Sequence, residues 1–299
     1  MIAVDWGSSS LRAWRLDDTG AVIDQRRSDQ GVLSCSGAFA SVLAALIDGW
    51  EHPVLVLSGM IGSRSGWHEM PYLDCPAGVR ELAASLQSMQ VDALPGRTLW
   101  FVPGIADLSR QVADVVRGEE TQMCGLPVAL QQGSHVVCLP GTHSKWITLQ
   151  EGRIRSIHTA MTGEVYAVLR RHSLLGQLMD NDDSHYDAEA FGAGLQRSTT
   201  PGGLLHHLFG VRTAGLFARY SGSALPSYLS GLLIGHEVRA SALPSRSLQD
   251  DLVHLVGSEG LLARYAHALE ALGTRVQRHP EHLSATGLWR IAQARGLAG

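Results

Sequence analysis

Two stretches of this chain, residues 1–25 and 134–157, read as two copies of one device: strand, tight Gly/hydroxyl turn, strand, short turn, strand. In the first, the apolar run Ile2-Ala3-Val4 ends at Asp5 and opens into Trp6-Gly7-Ser8-Ser9-Ser10. Leu11-Arg12-Ala13-Trp14-Arg15-Leu16 follows, then the turn Asp17-Asp18-Thr19-Gly20, then Ala21-Val22-Ile23. In the second, Val136-Val137-Cys138-Leu139 opens into Pro140-Gly141-Thr142-His143-Ser144. Lys145-Trp146-Ile147-Thr148-Leu149 follows, then the turn Glu151-Gly152, then Arg153-Ile154-Arg155-Ser156-Ile157. A glycine followed by Ser or Thr between two strands presents backbone N–H groups and a hydroxyl to an anion. Two such turns in one chain predict two loops closing on one polyphosphate.

The rest of the chain is compatible with two lobes built around these devices. Its 299 residues suffice for two domains, each with its own core. Hydrophobic content of 45% with 17% charged residues is that of a globular protein. A net charge of −4 and the lack of any Lys/Arg block argue against nucleic acid. The 14 His residues lack metal-type spacing, and the four cysteines, Cys35, Cys75, Cys124 and Cys138, form no C-x-x-C and read as reduced core residues. The chain enters a strand at once, with no room for a signal peptide, and no apolar run approaches a membrane span. The expectation is a cytoplasmic protein.

Strands are predicted over 2–4, 11–16, 21–25, 54–57, 98–102, 136–139, 145–149, 153–157 and 252–256. Helical spacing covers 38–50, 79–89, 119–126, 163–171, 188–196, 213–220, 226–240, 259–272 and 284–295. Residues 180–185 and 241–247 read as loops. Interleaved strands and helices predict an α/β fold, and the hairpins predict mixed sheets. A domain boundary is expected between Gly125 and Ser134, giving lobes 1–126 and 127–299. The first would carry one phosphate turn, a small-molecule loop and a candidate acid, and the second the other turn and a strand–Gly–helix junction. The last helix would be free to pack back on the first lobe.

The chemistry follows from residue type. Asp5 at a strand end can hold the water shell of Mg²⁺ bridging phosphate oxygens, or serve as a turn residue. Gly7 permits close backbone approach, and Ser8 and Ser9 donate N–H and O–H groups. Gly141, Thr142 and His143 offer the same, with Lys145 as a point charge for phosphate. No G-x-x-x-x-G-K-[ST] is present, and no G-x-G-x-x-G opens a helix after the first strand. Arg117-Gly118-Glu119-Glu120-Thr121 places two acids at a helix start, which is ordinary capping chemistry, yet phosphoryl transfer to a hydroxyl also wants such a carboxylate. Arg117 suits an acidic substrate group. The loop over 58–67, continued to 76, offers Ser63, Arg64, Trp67 and Tyr72 as a small-molecule wall or as structure. Glu164 after Met161-Thr162-Gly163 is a second candidate base, and Gly257-Ser258 is a strand–Gly–helix junction with free N–H groups.

Taken in order, Asp5-Trp6-Gly7-Ser8-Ser9, Arg117-Gly118-Glu119-Glu120-Thr121, Pro140-Gly141-Thr142-His143-Ser144-Lys145-Trp146 and Ser230-Gly231-Leu232-Leu233-Ile234-Gly235 resemble the 2-dehydro-3-deoxygalactonokinase family. The resemblance runs along essentially the whole chain, including Gly59-Met60-Ile61-Gly62-Ser63 and Met161-Thr162-Gly163-Glu164. That family is similar to the actin, hexokinase and sugar-kinase superfamily, which implies two related actin-like (ribonuclease H-like) ATPase lobes with mixed sheets around a central cleft. It implies ATP- and Mg²⁺-dependent phosphorylation of the 6-hydroxyl of 2-dehydro-3-deoxy-D-galactonate in galactonate catabolism. Asp5, Gly7, Ser8, Ser9, Gly141, Thr142, His143 and Lys145 would bind the nucleotide phosphates, with Asp5 on the metal and Gly257 and Ser258 at the adenosine. Glu119 matches the catalytic acid of related sugar kinases, which usually carry Asp there; Glu120 beside it and Glu164 remain alternatives. The sugar acid would lie near Ser63, Trp67, Tyr72 and Arg117. A homodimer is compatible with this reading. Two rivals share the loops: a non-catalytic nucleotide-dependent assembly protein of the actin type, and a phosphohydrolase of the same superfamily.

Overall fold

The apolar start of the chain becomes β1 (Ile2–Trp6), buried along its whole length. β2 (Leu11–Leu16) and β3 (Val22–Ser28) fold back antiparallel beside it. After α1 (Phe39–Leu46), β4 (Val54–Gly59) returns parallel to β1, with Asp5 opposite Ser58. Then come β5 (Tyr72–Asp74), α2 (Val79–Ala84), β6 (Gln87–Met89), β7 (Thr98–Phe101), β8 (Gly104–Asp107), β9 (Asp114–Val116) and α3 (Glu119–Gly125). The second series is β10 (Ser134–Leu139), β11 (Ser144–Gln150), β12 (Arg153–Ala160), α4 (Thr162–His172), α5 (Ala188–Arg197), α6 (Gly203–Leu216), α7 (Leu225–Ala240), β13 (Leu252–Val256), α8 (Glu259–Glu270), β14 (Arg275–His279) and α9 (Leu283–Arg295). The computed structural model describes residues 1–180, 185–241, 252–280 and 283–298. The loop expected over 180–185 lies outside the described residues from 181 to 184, and that over 241–247 from 242 onward.

One sheet runs β3-β2-β1-β4-β7-β6 and another β12-β11-β10-β13-β14, with a small third sheet β5-β8-β9. The first five strands of the former and the five of the latter share one order: third, second, first, then two strands reached by crossover. β4 and β7 lie parallel to β1 and to each other in turn, as do β13 and β14 relative to β10. The repeated sequence device thus becomes a repeated sheet.

The chain divides into two compact units that are not contiguous stretches: 1–135 with 147–157 and 280–299, and 136–146 with 158–279. A single cut after residue 126 therefore departs from the observed division. Residues 147–157 join the first unit because Ala77 and Ile154 form a β-bridge and Asp107 Oδ2 accepts the Ile157 N–H at 3.0 Å. Residues 280–299 join it because α9 packs on α3, α2 and β1. The first unit's core gathers Ile2, Val4, Trp6, Leu43, Leu55, Leu57 and Phe101. In the second unit one cluster joins sheet residues Val136, Cys138, Val253 and Leu255 to Phe191, Tyr265 and Leu269, and another joins Leu175, Val211, Leu225 and Leu229.

Local expectation fails where sheet pairing competes with helix. The helix expected over 79–89 stops at Ala84, and Gln87–Met89 pairs with β7 as an edge strand. The short strands β5, β8, β9 and β14 carry no sequence alternation long enough to read. α6 starts at Gly203, ten residues before the expected 213; Leu205 and Phe209, 85% and 65% exposed, blur the apolar stripe by which its first turns would be read. No helix among the described residues is long and apolar enough to cross a membrane.

Candidate active site

Three turns of the first unit meet where β1 and β4 end, the carboxyl edge at which open α/β sheets bind ligands. β1 delivers Asp5, 8% exposed, whose Oδ2 accepts from Arg12 Nη2 at 3.1 Å and from Ser284 Oγ at 3.4 Å. Arg12 faces Asp5 because the antiparallel register of β2 puts it there. Beyond Asp5 the turn is closed by the Gly7 N–H donating to Ser10 O at 2.9 Å, leaving Ser8 and Ser9 exposed. The segment after β3 braces this turn from behind: Trp6 Nε1 donates to Gln30 O, Val32 N–H to Gly7 O and Leu33 N–H to Ser8 O.

β4 ends at Gly59, with φ +91°, where a Cβ would lie 2.8 Å from Trp6 O and 3.3 Å from Asp5 Oδ1. Gly118, with φ +110°, sits against it, its would-be Cβ 3.3 Å from Gly59 Cα. Only glycine accepts such a backbone without strain, and the pair lets the start of α3 reach the Asp5 turn. Glu119 opens α3, half-buried, and its Oε2 accepts the Arg117 N–H at 3.0 Å. Glu120 is fully buried; its Oε2 accepts the Gly118 N–H at 2.6 Å. Desolvation, reinforced by the neighbouring Glu119 charge, pushes its pKa up to about 8, so it is a neutral acid at pH 7.

The sugar-loop candidates divide. Arg117 stacks over the Tyr72 ring at 4.2 Å, donating from Nε to the Tyr72 hydroxyl at 3.3 Å and from Nη2 to Met70 O at 2.8 Å. Tyr72 is 43% exposed. Trp67 instead stacks on Phe39 and meets Phe101 edge-on, as part of the core, and the Ser63 hydroxyl donates to Met60 O within its own loop. Among the described residues, three buried polar atoms on the segments that form these turns lack a hydrogen-bond partner: Ser58 Oγ, on the residue paired with Asp5, Arg117 Nη1 beside Gly62, and Glu120 Oε1. Native structures leave few such atoms.

The second unit builds its own turn. β10 ends in Pro140-Gly141-Thr142-His143; Thr142 and His143 are exposed, and the buried Lys145 donates from Nζ to Thr159 Oγ1 at 2.9 Å. Gly163 at the start of α4 braces it, with Glu164 N–H donating to Thr142 O at 2.9 Å. The Glu164 carboxylate pairs with His143 Nε2, which ties this base candidate to the turn itself. β13 lies parallel to β10 and leads into Gly257, whose would-be Cβ is 3.6 Å from Pro140 O, with Ser258 exposed as the N-cap residue of α8.

The residues of the first turn suit phosphate and a hard divalent cation, and those of the second suit phosphate. Gly59 leaves open the space beside Asp5 Oδ1 that a side chain would fill, and exposed hydroxyl residues stand at both turns. Sequence reasoning did not find Arg12 or Ser284 and gave Gly59 no role of its own. Of these only Gly59, a glycine directly after a buried strand, leaves a readable mark.

Comparison with known proteins agrees with this architecture. The model of the family described as 2-keto-3-deoxy-galactonokinase matches residues 5–291. A probable 2-dehydro-3-deoxygalactonokinase of Rhizobium meliloti (strain 1021) is 37% identical over 283 residues, 92% of this chain and 90% of the relative. The 2-dehydro-3-deoxygalactonokinase of Escherichia coli (strain K12) is 35% identical over 283 residues, 92% of this chain and 91% of the relative. The crystal structure of a candidate 2-dehydro-3-deoxygalactonokinase from Sinorhizobium meliloti matches with a TM-score of 0.88 at 35% identity, covering 98% of both chains. An activator of a 2-hydroxyisocaproyl-CoA dehydratase from Clostridium difficile with bound ADPNP shares the fold, with a TM-score of 0.52 at 13% identity over 99% of this chain and 96% of that one. The mixed α/β fold expected from the resemblance to actin-like ATPases is the fold observed. With a family model spanning nearly the whole sequence and two relatives more than a third identical, this chain belongs to the 2-keto-3-deoxy-galactonokinase family of carbohydrate kinases.

Proposed function

We propose that this kinase transfers the γ-phosphoryl group of ATP to the 6-hydroxyl of 2-dehydro-3-deoxy-D-galactonate, with Glu119 accepting the hydroxyl proton. The observation that carries this reading is the junction of Asp5, Gly59 and Gly118, which sets Glu119 beside a turn suited to phosphate and metal. Glu120 is a poor base because its carboxyl is buried and neutral at pH 7, and Glu164 is occupied with His143. A bound Mg²⁺ would neutralise charge on the phosphate oxygens.

The chain's own groups do the rest. Asp5, held by Arg12, keeps a carboxylate oriented for the metal's water shell. Ser8 and Ser9 at one turn, and Gly141, Thr142 and His143 at the other, offer amide and hydroxyl donors to phosphate oxygens, and Lys145 adds a positive charge. Gly257 and the exposed Ser258, at a strand–Gly–helix junction, would meet the nucleoside end. Arg117, fixed by Tyr72 and Met70, reads the sugar carboxylate, while Ser63 and Trp67 hold the loop that frames it. The same reading puts the enzyme in the cytoplasm, where its free thiols stay reduced.

The test is a coupled ADP-release assay over a panel of keto-deoxy sugar acids, including the gluco epimer, and neutral sugars. Release stimulated by the galacto acid above the others supports the reading, and release no sugar acid stimulates overturns it. Phosphate release indifferent to sugar would favour a phosphohydrolase, and nucleotide-driven polymers seen in sedimentation an assembly protein.

A further inference from the structure

In the second unit a buried carboxylate has four donors aimed at it and no part in the chemistry above. Glu237 on α7 is 6% exposed. Its Oε1 accepts from Trp146 Nε1 at 2.8 Å and its Oε2 from the Tyr265 hydroxyl at 2.6 Å. The Thr162 and Ser144 side chains also donate to it, and Ser144 Oγ lies 2.8 Å from the Tyr265 hydroxyl. Burial pushes the Glu237 carboxyl up from its ordinary pKa, and these donors oppose the shift.

The donors come from three elements around the second turn, β11, α4 and α8. Ser144 and Trp146 begin β11 directly after it. Thr162 opens α4, one residue before Gly163, which touches Gly141. Tyr265 is on α8, the helix that follows Gly257 and Ser258. An ionised carboxylate only accepts, so it alone among side chains of this size satisfies converging donors without turning an N–H or O–H against them. Burying one is costly, and apolar side chains would join the same elements at less cost, so the arrangement looks built for geometry rather than stability.

We propose that Glu237 is a positioning residue that holds the second turn, through Ser144, Trp146, Thr162 and Tyr265, in the shape that receives nucleotide phosphates. The inference rests on the reading of that turn as phosphate-binding.

The experiment is calorimetric titration of Mg·ADP into the full chain, with the KM for the sugar acid measured alongside. Tyr265→Phe removes one hydroxyl and keeps the buried ring. Its Kd for Mg·ADP is expected to rise about fivefold to tenfold, the worth of about one hydrogen bond, with the sugar KM within about twofold. Glu237→Gln turns an N–H₂ against the donors and is expected to weaken Mg·ADP further, again sparing the sugar. Unchanged Mg·ADP affinity in both folded variants overturns the proposal, as do equal losses for nucleotide and sugar acid. If Glu237→Gln does not fold, Tyr265→Phe decides alone. Lys145→Ala separates the two claims. If it leaves Mg·ADP affinity intact, the reading of the turn fails and the proposal falls with it. If it weakens Mg·ADP while the Glu237 and Tyr265 variants do not, only the positioning role fails.

Discussion

Gly31 lies so close to the first turn that an added Cβ would sit 2.3 Å from the Ser8 carbonyl oxygen and 2.4 Å from Ser9 Cα. Gly163 repeats the relationship at the second turn, 2.3 Å from Gly141 O and 2.8 Å from Thr142 Cα. Each follows the last strand of its copy by the same interval, Gly31 after Ser28 and Gly163 after Ala160. The duplication therefore extends past the hairpins to the glycine that braces each turn. Alanine at either position has only backbone to push against, so the turn must move. Overpacking of about 1–3 kcal/mol predicts a KM for ATP raised about tenfold or more in Gly31→Ala and in Gly163→Ala. Gly192→Ala, whose Cβ meets nothing within 4 Å, should leave the KM unchanged in the same steady-state assay.

Glu119→Gln tests the proton acceptor. The amide keeps the shape and the Arg117 N–H contact but takes no proton, so kcat is expected to fall by about 10²–10⁴. Mg·ADP affinity, measured by calorimetry, should stay within about twofold. Near-normal turnover in this variant would move the acceptor elsewhere.

Glu120 gives a pH signature of stability. In the folded chain its carboxyl holds a proton up to about pH 8, whereas in the unfolded chain it loses it near the ordinary value of 4.5. The folded state thus binds the extra proton between these values, and this contribution to stability, full below the lower one, is lost as pH rises through the upper. Glu120→Gln has nothing to titrate and still accepts the Gly118 N–H. Its melting temperature relative to the unmodified chain should climb from about pH 5 to about pH 8.5. A constant difference across that range would show that Glu120 is ionised in the fold.

Arg117→Lys keeps a charge but loses the planar contact with Tyr72 and the fork that reaches Met70 O. The KM for the sugar acid is expected to rise about tenfold, with the KM for ATP unchanged, since a bidentate charged contact is worth about 1.5–3 kcal/mol. A rise shared equally by both substrates would place Arg117 in the support of the unit rather than at the sugar.

The two turns were legible because their signal is local: an apolar run, a glycine and a hydroxyl residue lie within a few positions at Val4–Ser8 and at Leu139–Thr142. Gly31 was not, because its constraint comes from a loop that touches it only after β3 has folded back. Arg12 was passed over as one more strand residue, and only the antiparallel register brings it onto Asp5. Glu119 and Glu120 are indistinguishable as letters, and burial alone separates them. Composition made Ser63 and Trp67 look available for a ligand, but the loop and the core use both. Glu237 was hidden in a helix buried nearly all round, where its neighbours give no amphipathic stripe against which an acid would stand out.

The N-terminus of α3, and with it Glu119, depends on a crossing of two helices at glycine. A Cβ on Gly287 of α9 would lie 1.8 Å from Thr121 O, and one on Gly125 of α3 would lie 2.0 Å from Leu283 O. Neither neighbour is a flexible side-chain tip, so the helices have to separate to admit a methyl group. Arg290 Nη1 fastens the same crossing by donating to Cys124 O at 2.7 Å and Leu126 O at 2.6 Å. Thr121 also donates its hydroxyl to Gly118 O at 2.7 Å, so a displaced α3 carries the Gly118 turn with it. Gly287→Ala is therefore expected to cost about 1–3 kcal/mol in urea unfolding and also to lower kcat. Ser284 lies one turn before Gly287 on the same helix and touches Asp5, so the Asp5 carboxylate should be disturbed as well. Full kcat in a folded but destabilised Gly287→Ala protein would show that α3 yields at this crossing without moving Gly118.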